Sequence, residues 1–209
     1  YAQAVPLKYA IDPTHCIFFT KGKCKACEKL CPAKAINFED QEKELTIQTG
    51  AIIISPGCEV FDPKAYDVYG YQRSPNIVTS LEFERMLSAS GTFGGHMIRP
   101  SDKKEPKKIA WIQCVGSRDV HEGAKAYCSA VCCTYAIKEA VVAKEHSKEP
   151  LDTAIFYIDM RTYGKDFEKY YNRAREEAGV RFIKSRITQI LPMKKTGDLL
   201  IRYMDETGR

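Results

Sequence analysis

The stretch that decides the fold is Ile109–Lys144, which reads IAWIQCVGSRDVHEGAKAYCSAVCCTYAIKEAVVAK. Its apolar start predicts a β-strand that delivers Cys114 at its C-terminal end. A polar, glycine-containing loop follows, and then a helical pattern that carries Cys128, Cys132 and Cys133. In a helix, Cys128 and Cys132 would lie one turn apart on the same face, with Cys133 about 100° further round. A strand, loop and helix unit of this kind usually opens a dinucleotide-binding fold.

Four cysteines stand where this unit usually has phosphate-binding glycines. G-x-G-x-x-G is expected between strand and helix, but the loop offers one matching glycine, Gly116. The positive end of a helix and its free N–H groups favour thiolates or an anionic cluster there. A buried structural role is the alternative, because free cysteine is among the most buried residue types. Four thiols at one junction favour metal or redox chemistry, and the adjacent pair matches no zinc-knuckle spacing, so the pattern predicts an iron–sulfur cluster.

A second cysteine set lies near the start of the chain. Cys16 is followed after seven residues by Cys24-x-x-Cys27-x-x-x-Cys31-Pro32. The last three cysteines and the proline fit the bacterial ferredoxin run, in which closely spaced thiolates wrap one cubane, whereas the first interval is longer. Because the chain has no second motif of this type, we assign all four cysteines to one [4Fe–4S] cluster. Zinc is the alternative, although the run lacks the second, widely separated knuckle of most zinc sites.

The sequence around both cysteine sets resembles the flavoprotein of heterodisulfide reductase, known as its A subunit, and the relatives of that protein. The likeness extends over essentially the whole chain, and its main segments are FTKGKCKACEKLCP, TSLEFERMLSASG, CVGSRD, YCSAVCCTYAIKEA and FYIDMRTYGKDFEKYYNRAREEAGVRFI. In that family the cysteines matching Cys114, Cys128, Cys132 and Cys133 bind a non-standard [4Fe–4S] cluster beside an FAD. The lysine matching Lys138 lies close to the reactive N5 edge of the flavin. Without the resemblance, this lysine would be interpreted as a solvated helix residue.

The resemblance also implies a function and a set of partners. It implies an oxidoreductase component of anaerobic metabolism that passes electrons between FAD, the two [4Fe–4S] clusters of this chain and partner subunits, in flavin-based electron bifurcation. The implied partners are other heterodisulfide-reductase-like subunits, hydrogenase, formate dehydrogenase or other electron-donor subunits, and ferredoxin. A homodimer is among the assemblies that it implies.

One short stretch is predicted to contribute to FAD binding. Residues 45–57, LTIQTGAIIISPG, contain two β-like runs broken by a glycine. In two-dinucleotide flavoproteins a strand followed by A-T-G closes the first FAD-binding portion, and Ser55-Pro56-Gly57 resembles that position with its middle residue altered. Ser55, Gly57 and Lys138 are therefore the residues expected to contact FAD. Because the chain begins without methionine and contains no G-x-G-x-x-G, we expect it to be a segment of a longer polypeptide that holds the FAD fingerprint elsewhere.

The remaining pattern predicts an α/β fold. The order β, α, β, α, β and then a meander matches the NAD-binding half of a thioredoxin-reductase-like, Rossmann-type domain, here partial and preceded by a ferredoxin-like [4Fe–4S] segment. A capping-box pattern starts a further helix at Thr79, with Gly91 as its stop. We assign a ferredoxin-like cluster-binding segment to 1–45, part of an FAD-binding subdomain and a linker to 46–108, and a Rossmann-like subdomain with a cluster in place of NAD to 109–209.

Composition and charge exclude several classes of protein. The chain has 209 residues, 44% hydrophobic and 28% charged, which is ordinary for a globular protein. Its apolar runs, such as Ala51–Ile54, are only a few residues long, so we expect no membrane insertion. Its nine cysteines fall in tight, ligand-like clusters that favour a reducing compartment, which we take to be the cytoplasm. The net charge of +5 is modest, and its densest basic run, residues 103–108, carries no interleaved aromatics, so no nucleic-acid partner is expected.

Two other functions remain open. One is a zinc-stabilised interaction or nucleic-acid-binding module, in which both cysteine sets are structural sites. The other is an NAD-dependent reductase, which the loop disfavours because its single glycine cannot cradle a pyrophosphate as G-x-G-x-x-G does. Arg118, in the same loop, is expected to pair with a nearby acid, with anion binding as the alternative. A count of iron, sulfide and zinc distinguishes the first alternative from an electron-transfer protein.

Overall fold

The chain consists of two compact units. This computed structural model describes residues 9–57, 59–204 and 208. The first unit is Tyr1–Cys58 and the second is Glu59–Arg209. Residues 1–8, which were expected to be extended, and Cys58, which was expected to take no part in either cysteine set, lie outside the described residues. The domain boundaries after residues 45 and 108 stay predictions.

The first unit contains two short helices and a very small apolar core. Helix α1 spans Ile17–Lys21 and helix α2 spans Ala26–Leu30. Gly22 ends α1 in the left-handed conformation, at φ 65°, and its N–H donates to the Phe18 carbonyl at 2.9 Å. Phe38 is the one buried hydrophobic side chain in the described part of this unit, and its ring lies 4.6 Å from that of Phe18. One aromatic cluster therefore supplies most of the apolar packing here.

The two β-runs predicted within residues 45–57 are wrong. This stretch has no regular secondary structure, and the side chains of Ile52, Ile53 and Ile54 are 79, 92 and 81% exposed. A strand needs a neighbour to pair with its backbone N–H and C=O groups, and no described residue of the first unit lies in a strand. The stretch has the apolar composition of a strand, but such a stretch forms a strand only where another strand is available to pair with it.

Helix α3, Ser80–Leu87, begins with the predicted capping box. The Thr79 hydroxyl accepts a hydrogen bond from the Glu82 backbone N–H at 3.2 Å, and the Glu82 carboxylate accepts one from the Thr79 N–H at 2.7 Å. These bonds satisfy two donors that the first helical turn would leave unpaired. The predicted stop at Gly91 is wrong, because Ser88 is already extended and the Gly91 N–H closes a separate turn onto the Ser88 carbonyl.

The second unit is built on a three-stranded parallel sheet. Its strands are β1 (Lys108–Ile112), β2 (Asp152–Tyr157) and β3 (Arg181–Lys184), in the spatial order β1-β2-β3. Helix α4 (Cys132–His146) connects β1 to β2, and helix α5 (Phe167–Glu176) connects β2 to β3. Parallel strands need such crossovers, because a short turn cannot return the chain to the same end of the sheet. The predicted order β, α, β, α, β is therefore observed, and it supports the α/β class.

An antiparallel pair of strands ends the described part of this unit. Strand β4 (Ile187–Pro192) pairs with strand β5 (Leu199–Tyr203) in a sheet separate from the parallel one. The turn between them is closed by a hydrogen bond from the Met193 N–H to the Asp198 carbonyl at 2.8 Å and by one from the Gly197 N–H to the Met193 carbonyl at 2.9 Å. These are the last two strands of the predicted meander.

The core of the second unit lies between the parallel sheet and α4. Ile137 of α4 and Ile155 of β2 are fully buried. Ala136, Ala140 and Ala143 follow helical spacing and are also buried, so their small side chains let the helix approach the sheet closely. Although α4 is the longest of the described helices, none of them combines the length and the apolar character needed to cross a membrane.

Candidate metal centres

The four cysteines of the second unit come together at one edge of the parallel sheet. Cys114 lies two residues beyond the end of β1, and Cys132 and Cys133 are the first two residues of α4. Cys128 lies in the loop that leads into α4. The Cys114 thiol interacts electrostatically with Cys128, Cys132 and Cys133. The carboxyl ends of parallel strands meet at this edge, which is where open α/β sheets bind their ligands.

The prediction that Cys128 belongs to the same helix is wrong. Helix α4 begins at Cys132, because Ala130 has a φ of 61° and Val131, the residue before the helix, has φ −121° and ψ −28°. A left-handed residue with a Cβ cannot continue a right-handed helix. Cys128 and Cys132 therefore do not share a helix face, and the loop conformation positions Cys128.

The thiols of this set differ in how readily they ionise. The Cys133 thiol donates a hydrogen bond to Cys132, which lowers the pKa of Cys132 to about 6 and raises the pKa of Cys133. Burial raises the pKa of Cys114, and the nearby Cys132 adds to this rise. A thiolate is the form that binds metal, and within this pair the proton kept by one thiol stabilises the thiolate of the other.

Backbone N–H groups point at the sulfurs of this set. The Ala130 N–H donates to Cys128 Sγ at 3.3 Å. The backbone N–H of Arg161 donates to Cys133, and Cys132 accepts a hydrogen bond from the backbone of the loop after β1. Hydrogen bonds to cysteine sulfur stabilise its negative charge and are one of the means by which proteins tune iron–sulfur clusters.

This donor set fits an iron–sulfur cluster. Four cysteine sulfurs with N–H donors around them are the chemistry that [4Fe–4S] clusters require. Among the described residues, no three His, Cys, Asp or Glu side chains are arranged to hold one metal ion between them. Each cysteine of a cubane binds a different iron, so its ligands surround the cluster rather than a single ion.

Arg118 pairs with an acid, as predicted, and that acid is Asp159. The Arg118 guanidinium forms an ion pair with the Asp159 carboxylate, and Arg161 Nε lies 3.4 Å from Asp159 Oδ1. Sequence reasoning identified neither Asp159 nor Arg161. The signal that could have found them is their place directly after β2, because the segments that follow neighbouring parallel strands converge at one sheet edge.

An aromatic ring covers Gly116 in the loop after β1. The φ of Gly116 is 72°, and a Cβ on this residue would collide with the Phe61 ring. The Tyr66 ring packs against Phe61 at a centroid distance of 5.2 Å. In dinucleotide-binding folds the corresponding glycine lets the backbone approach a pyrophosphate. The Phe61 ring occupies this approach, which favours a cluster over a nucleotide at the loop.

The cysteines of the first unit are placed by the two short helices. Cys16 directly precedes α1, Cys24 lies between the helices with a φ of 113°, Cys27 is in α2 and Cys31 directly follows it. Cys24 and Cys27 are exposed, and the other two are half-buried. The Ala35 N–H donates to Cys31 Sγ at 3.5 Å. These four sulfurs are chemically suited to a ferredoxin-type cluster, and their assignment to one cluster stays a prediction.

The residues expected to contact FAD are all accessible. Lys138 lies on α4 and forms an ion pair with Glu84 of α3, with both side chains about half exposed. Ser55 and Gly57 are exposed residues of the first unit. Gly57 has a φ of 81°, and a Cβ there would meet no atom within 4 Å, so its backbone is open to a ligand. The assignment of these residues to FAD stays a prediction.

A buried carboxyl group on α4 was not predicted. Glu139 is 2% exposed and accepts a hydrogen bond from Trp111 Nε1 at 2.7 Å. Burial raises its pKa to about 7, against the lowering effect of the Trp111 hydrogen bond. Glutamate is almost never fully buried unless paired, so sequence pattern alone would place it on the exposed side of the helix.

Sequence comparison relates the chain to a group of named reductase subunits, although no family model matches it. It is 43% identical over 205 residues to the iron–sulfur A subunit of the CoB–CoM heterodisulfide reductase of Methanocaldococcus jannaschii, a match that covers 98% of this chain and 30% of that protein. It is 41% identical over 191 residues to the A subunit of the H(2):CoB-CoM heterodisulfide,ferredoxin reductase of Methanothermobacter thermautotrophicus, a match that covers 91% of this chain and 28% of that protein.

A third relative is the A subunit of the ferredoxin/F(420)H(2)-dependent CoB-CoM heterodisulfide reductase of Methanosarcina acetivorans. The identity is 40% over 188 residues, which is 90% of this chain and 23% of that protein. The chain therefore spans less than a third of the length of each of these curated relatives.

Proposed function

Because the chain belongs to the family of heterodisulfide reductase A subunits, we propose that it is an electron-transfer part of an iron–sulfur flavoprotein. In this proposal it binds two [4Fe–4S] clusters, and the domains are those assigned to residues 1–45, 46–108 and 109–209. The first domain is ferredoxin-like, and the last is a thioredoxin-reductase-like Rossmann subdomain whose cluster takes the place of NAD. The ligands of the two clusters are Cys16, Cys24, Cys27 and Cys31 for the first, and Cys114, Cys128, Cys132 and Cys133 for the second.

The observation that carries this proposal is the convergence of the second cysteine set at the carboxyl edge of the parallel sheet. Three separate pieces of chain supply its members, namely the residues after β1, the loop before α4 and the start of α4. The Phe61 ring over Gly116 supports a cluster rather than a dinucleotide there. A buried structural role would not need N–H donors aimed at the sulfurs, whereas cluster ligands make use of them.

The first cysteine set is suited to exchange electrons with other proteins. Cys24 and Cys27 are exposed, so a cluster bound to them would lie near the protein surface. A cluster at the surface can come close to a redox centre of a partner protein. This supports a role for the first unit at a contact with an electron donor or acceptor.

Lys138, Ser55 and Gly57 are the residues that we propose for FAD. When bound, FAD and the clusters supply the two-electron and one-electron chemistry of the protein. The Lys138 ammonium would place positive charge beside the flavin, where it stabilises negative charge that develops on reduction. In this structure the same ammonium forms an ion pair with Glu84. The open backbone at Gly57 would let a ligand approach the chain closely.

The partners that we propose follow from the relatives. The name of the Methanothermobacter relative joins H(2), CoB-CoM heterodisulfide and ferredoxin, and that of a Methanococcus maripaludis relative joins H(2) or formate with the same two. For this chain we propose contact with other subunits of such a complex, with hydrogenase or formate dehydrogenase as electron donors and with ferredoxin. Flavin-based electron bifurcation is the proposed overall process, and a homodimer is the proposed assembly.

The test is a metal and sulfide analysis of anaerobically purified protein. Two cubanes require about eight irons and eight sulfides per chain, with broad visible absorption and an EPR signal after reduction. Two zinc ions per chain with no broad visible absorption would instead support the zinc-stabilised module and contradict the proposal.

A further inference from the structure

Two arginines and one aspartate form an ionic cluster beside the second cysteine set. Arg118, in the segment after β1, forms an ion pair with Asp159, in the segment after β2. The same Asp159 oxygen lies 3.4 Å from Arg161 Nε. The Arg118 side chain is 21% exposed, so the first of these pairs is partly shielded from water. One carboxylate thus joins two guanidinium groups from neighbouring strand ends.

Each arginine of this cluster also lies beside a different cysteine. The Arg118 guanidinium lies close enough to Cys114 to favour its ionised form, and the Arg161 guanidinium lies beside Cys128. In addition, the backbone N–H of Arg161 donates to Cys133. The ionic cluster therefore contacts ligands from the segment after β1, the loop before α4 and the start of α4.

The charges of this cluster do not cancel. Two guanidinium groups face one carboxylate, which leaves one net positive charge beside four cysteines that would bind as thiolates. A cysteine-bound cluster is negatively charged overall and becomes more negative when it accepts an electron. Positive charge held a few ångströms away stabilises the reduced form more than the oxidised form.

We propose that Arg118 and Arg161, joined by Asp159, are positioning residues that hold the thiolates of the second cluster and raise its reduction potential. This inference rests on the proposed function, because it requires a cluster on these four cysteines. It assigns a role to charged side chains beside the four proposed ligands. It also predicts that the arginines and the aspartate have opposite effects on the reduction potential.

The arginine and aspartate variants should shift the reduction potential in opposite directions, which a general disturbance of the site would not do. Arg161→Gln removes a positive charge, so the potential of the second cluster should fall. Asp159→Asn removes the negative charge while Arg118 and Arg161 remain, so the potential should rise. Arg161→Lys keeps the charge and should leave the potential close to that of the unaltered protein.

A second ion pair of the same sheet provides matched controls. Arg181 and Asp152 form a bidentate pair with distances of 2.8 and 2.9 Å, at the opposite end of β2 and β3. Arg181→Gln and Asp152→Asn make the same chemical changes far from the four cysteines. Neither should shift the potential of the second cluster. The potential of the first cluster serves as an internal reference in every sample.

The experiment is an EPR-monitored redox titration of the cluster-loaded protein with a soluble chemical reductant. We expect a roughly tenfold change in the ratio of reduced to oxidised second cluster at fixed ambient potential, about 59 mV for one electron. The change should be downward for Arg161→Gln and upward for Asp159→Asn, with iron content retained.

Three results would overturn the inference. Unshifted potentials in both variants would do so, as would shifts of the same sign. Loss of the second cluster's iron from Arg161→Lys as well as from Arg161→Gln would show a purely structural role. If the unaltered protein binds no cluster on these cysteines, the proposed function fails together with the inference, and this outcome is distinguished by the iron count of that protein alone.

Discussion

The two cysteine sets differ in how much folded protein surrounds them. The set in the first unit is carried by two five-residue helices, and Phe38 is the one buried hydrophobic side chain among residues 9–57. The set in the second unit lies at the edge of a parallel sheet, above a core that includes the fully buried Ile137 and Ile155. Two cysteines of the first set are exposed, whereas Cys133 of the second is 4% exposed.

Because of this difference, we expect the folding of the two units to depend on bound metal to different degrees. A unit of fewer than about 60 residues has only marginal stability from its core, and disulfides or metals often supplement it. Where the site does not exist before metal binds, the free energy of binding becomes free energy of folding. We therefore expect the first unit to fold together with its cluster, and the second to keep its fold when its cluster is removed.

The largest expected effect comes from removing one ligand of each set. Cys27→Ser and Cys133→Ser should each lower the iron content from about eight to about four per chain. Only Cys27→Ser should make residues 9–57 sensitive to protease, because the apolar core of the first unit is very small and that of the second is not. Cys58→Ser, which changes a cysteine outside both sets, should leave iron and protease resistance unchanged. Equal protease sensitivity of the first unit in the two ligand variants would contradict the comparison.

A smaller effect, a loss of stability, is expected when glycine is replaced by alanine. It should be larger at a tightly packed glycine than at an open one. Gly116 and Gly22 both have left-handed backbones, at φ 72° and 65°, but only at Gly116 would a Cβ collide with a ring, that of Phe61. Gly22→Ala should cost about 1 kcal/mol for backbone strain alone. Gly116→Ala should cost about 2–4 kcal/mol, because overpacking adds to the strain. Denaturant unfolding measures both losses of stability.

Two further variants control for the site of the substitution. Gly123, in the same unit as Gly116, has a φ of 80° and no atom within 4 Å of a Cβ, so Gly123→Ala should resemble Gly22→Ala. Adding Phe61→Ala to Gly116→Ala should remove the clash and recover part of the loss. Equal destabilisation by all three alanines would show that the loop after β1 is looser than the structure indicates.

The buried Glu139 gives the second unit a pH dependence of its own. Burial raises the pKa of this carboxyl to about 7 from 4.5. Because the folded pKa is raised, its contribution to stability is fully present below about pH 4.5 and is lost as pH rises through about 7. Glu139→Gln keeps an acceptor for the Trp111 N–H and removes the titration. Relative to the unaltered protein, this variant should gain stability between pH 6 and 8, by at most on the order of 3 kcal/mol.

Thermal unfolding of both proteins across this pH range measures the effect. Glu84 and Lys138 lie close enough to influence Glu139, and they act in opposite directions on its pKa. Both groups are present in the variant, so the difference between the two proteins isolates Glu139. A difference in Tm that stays constant from pH 6 to 8 would refute the raised pKa.

The smallest expected effect on stability is that of Lys138→Ala. Its ion pair with Glu84 is half exposed, and such pairs contribute about 0–1 kcal/mol. In the FAD-loaded protein the same change should shift the flavin potential or the stability of its one-electron-reduced form, with iron content intact. Lys169→Ala, which removes a surface lysine paired with Asp166 at 2.9 Å, is the control and should leave the flavin unchanged. Flavin behaviour identical in both variants would return Lys138 to the role of a solvated lysine.

The sequence predicted the second unit better than the first, for a physical reason. The alternation of strands and helices from β1 to β3 follows local hydrophobic patterns, and the capping box at Thr79 needs only neighbouring residues. The runs within residues 45–57 have strand composition as well, but a strand depends on a pairing partner that local sequence does not reveal. The apolar pattern was correct in both places, and only one of them has a sheet to join.

The candidate site shows the same limit at the level of single residues. Cysteine spacing identified all four members of the second set, yet it misplaced Cys128 because helical periodicity gives no sign of the left-handed Ala130. Arg118 was expected to have an acidic partner, but Asp159 lies 41 residues further along the chain, so only the topology of the sheet brings them together. Glu139 was missed because its burial depends on a hydrogen bond to Trp111 on another element.

Amide hydrogen exchange of the cluster-loaded protein, compared with the same protein after anaerobic chelation of its iron, tests the central claim most directly. Chelation should remove protection from the amides of α1 and α2, whereas the amides of β1, β2 and α4 should stay protected. The claim predicts this difference between two units of one molecule, each measured in the same sample. Equal loss of protection in both units, or retained protection in α1 and α2, would contradict it.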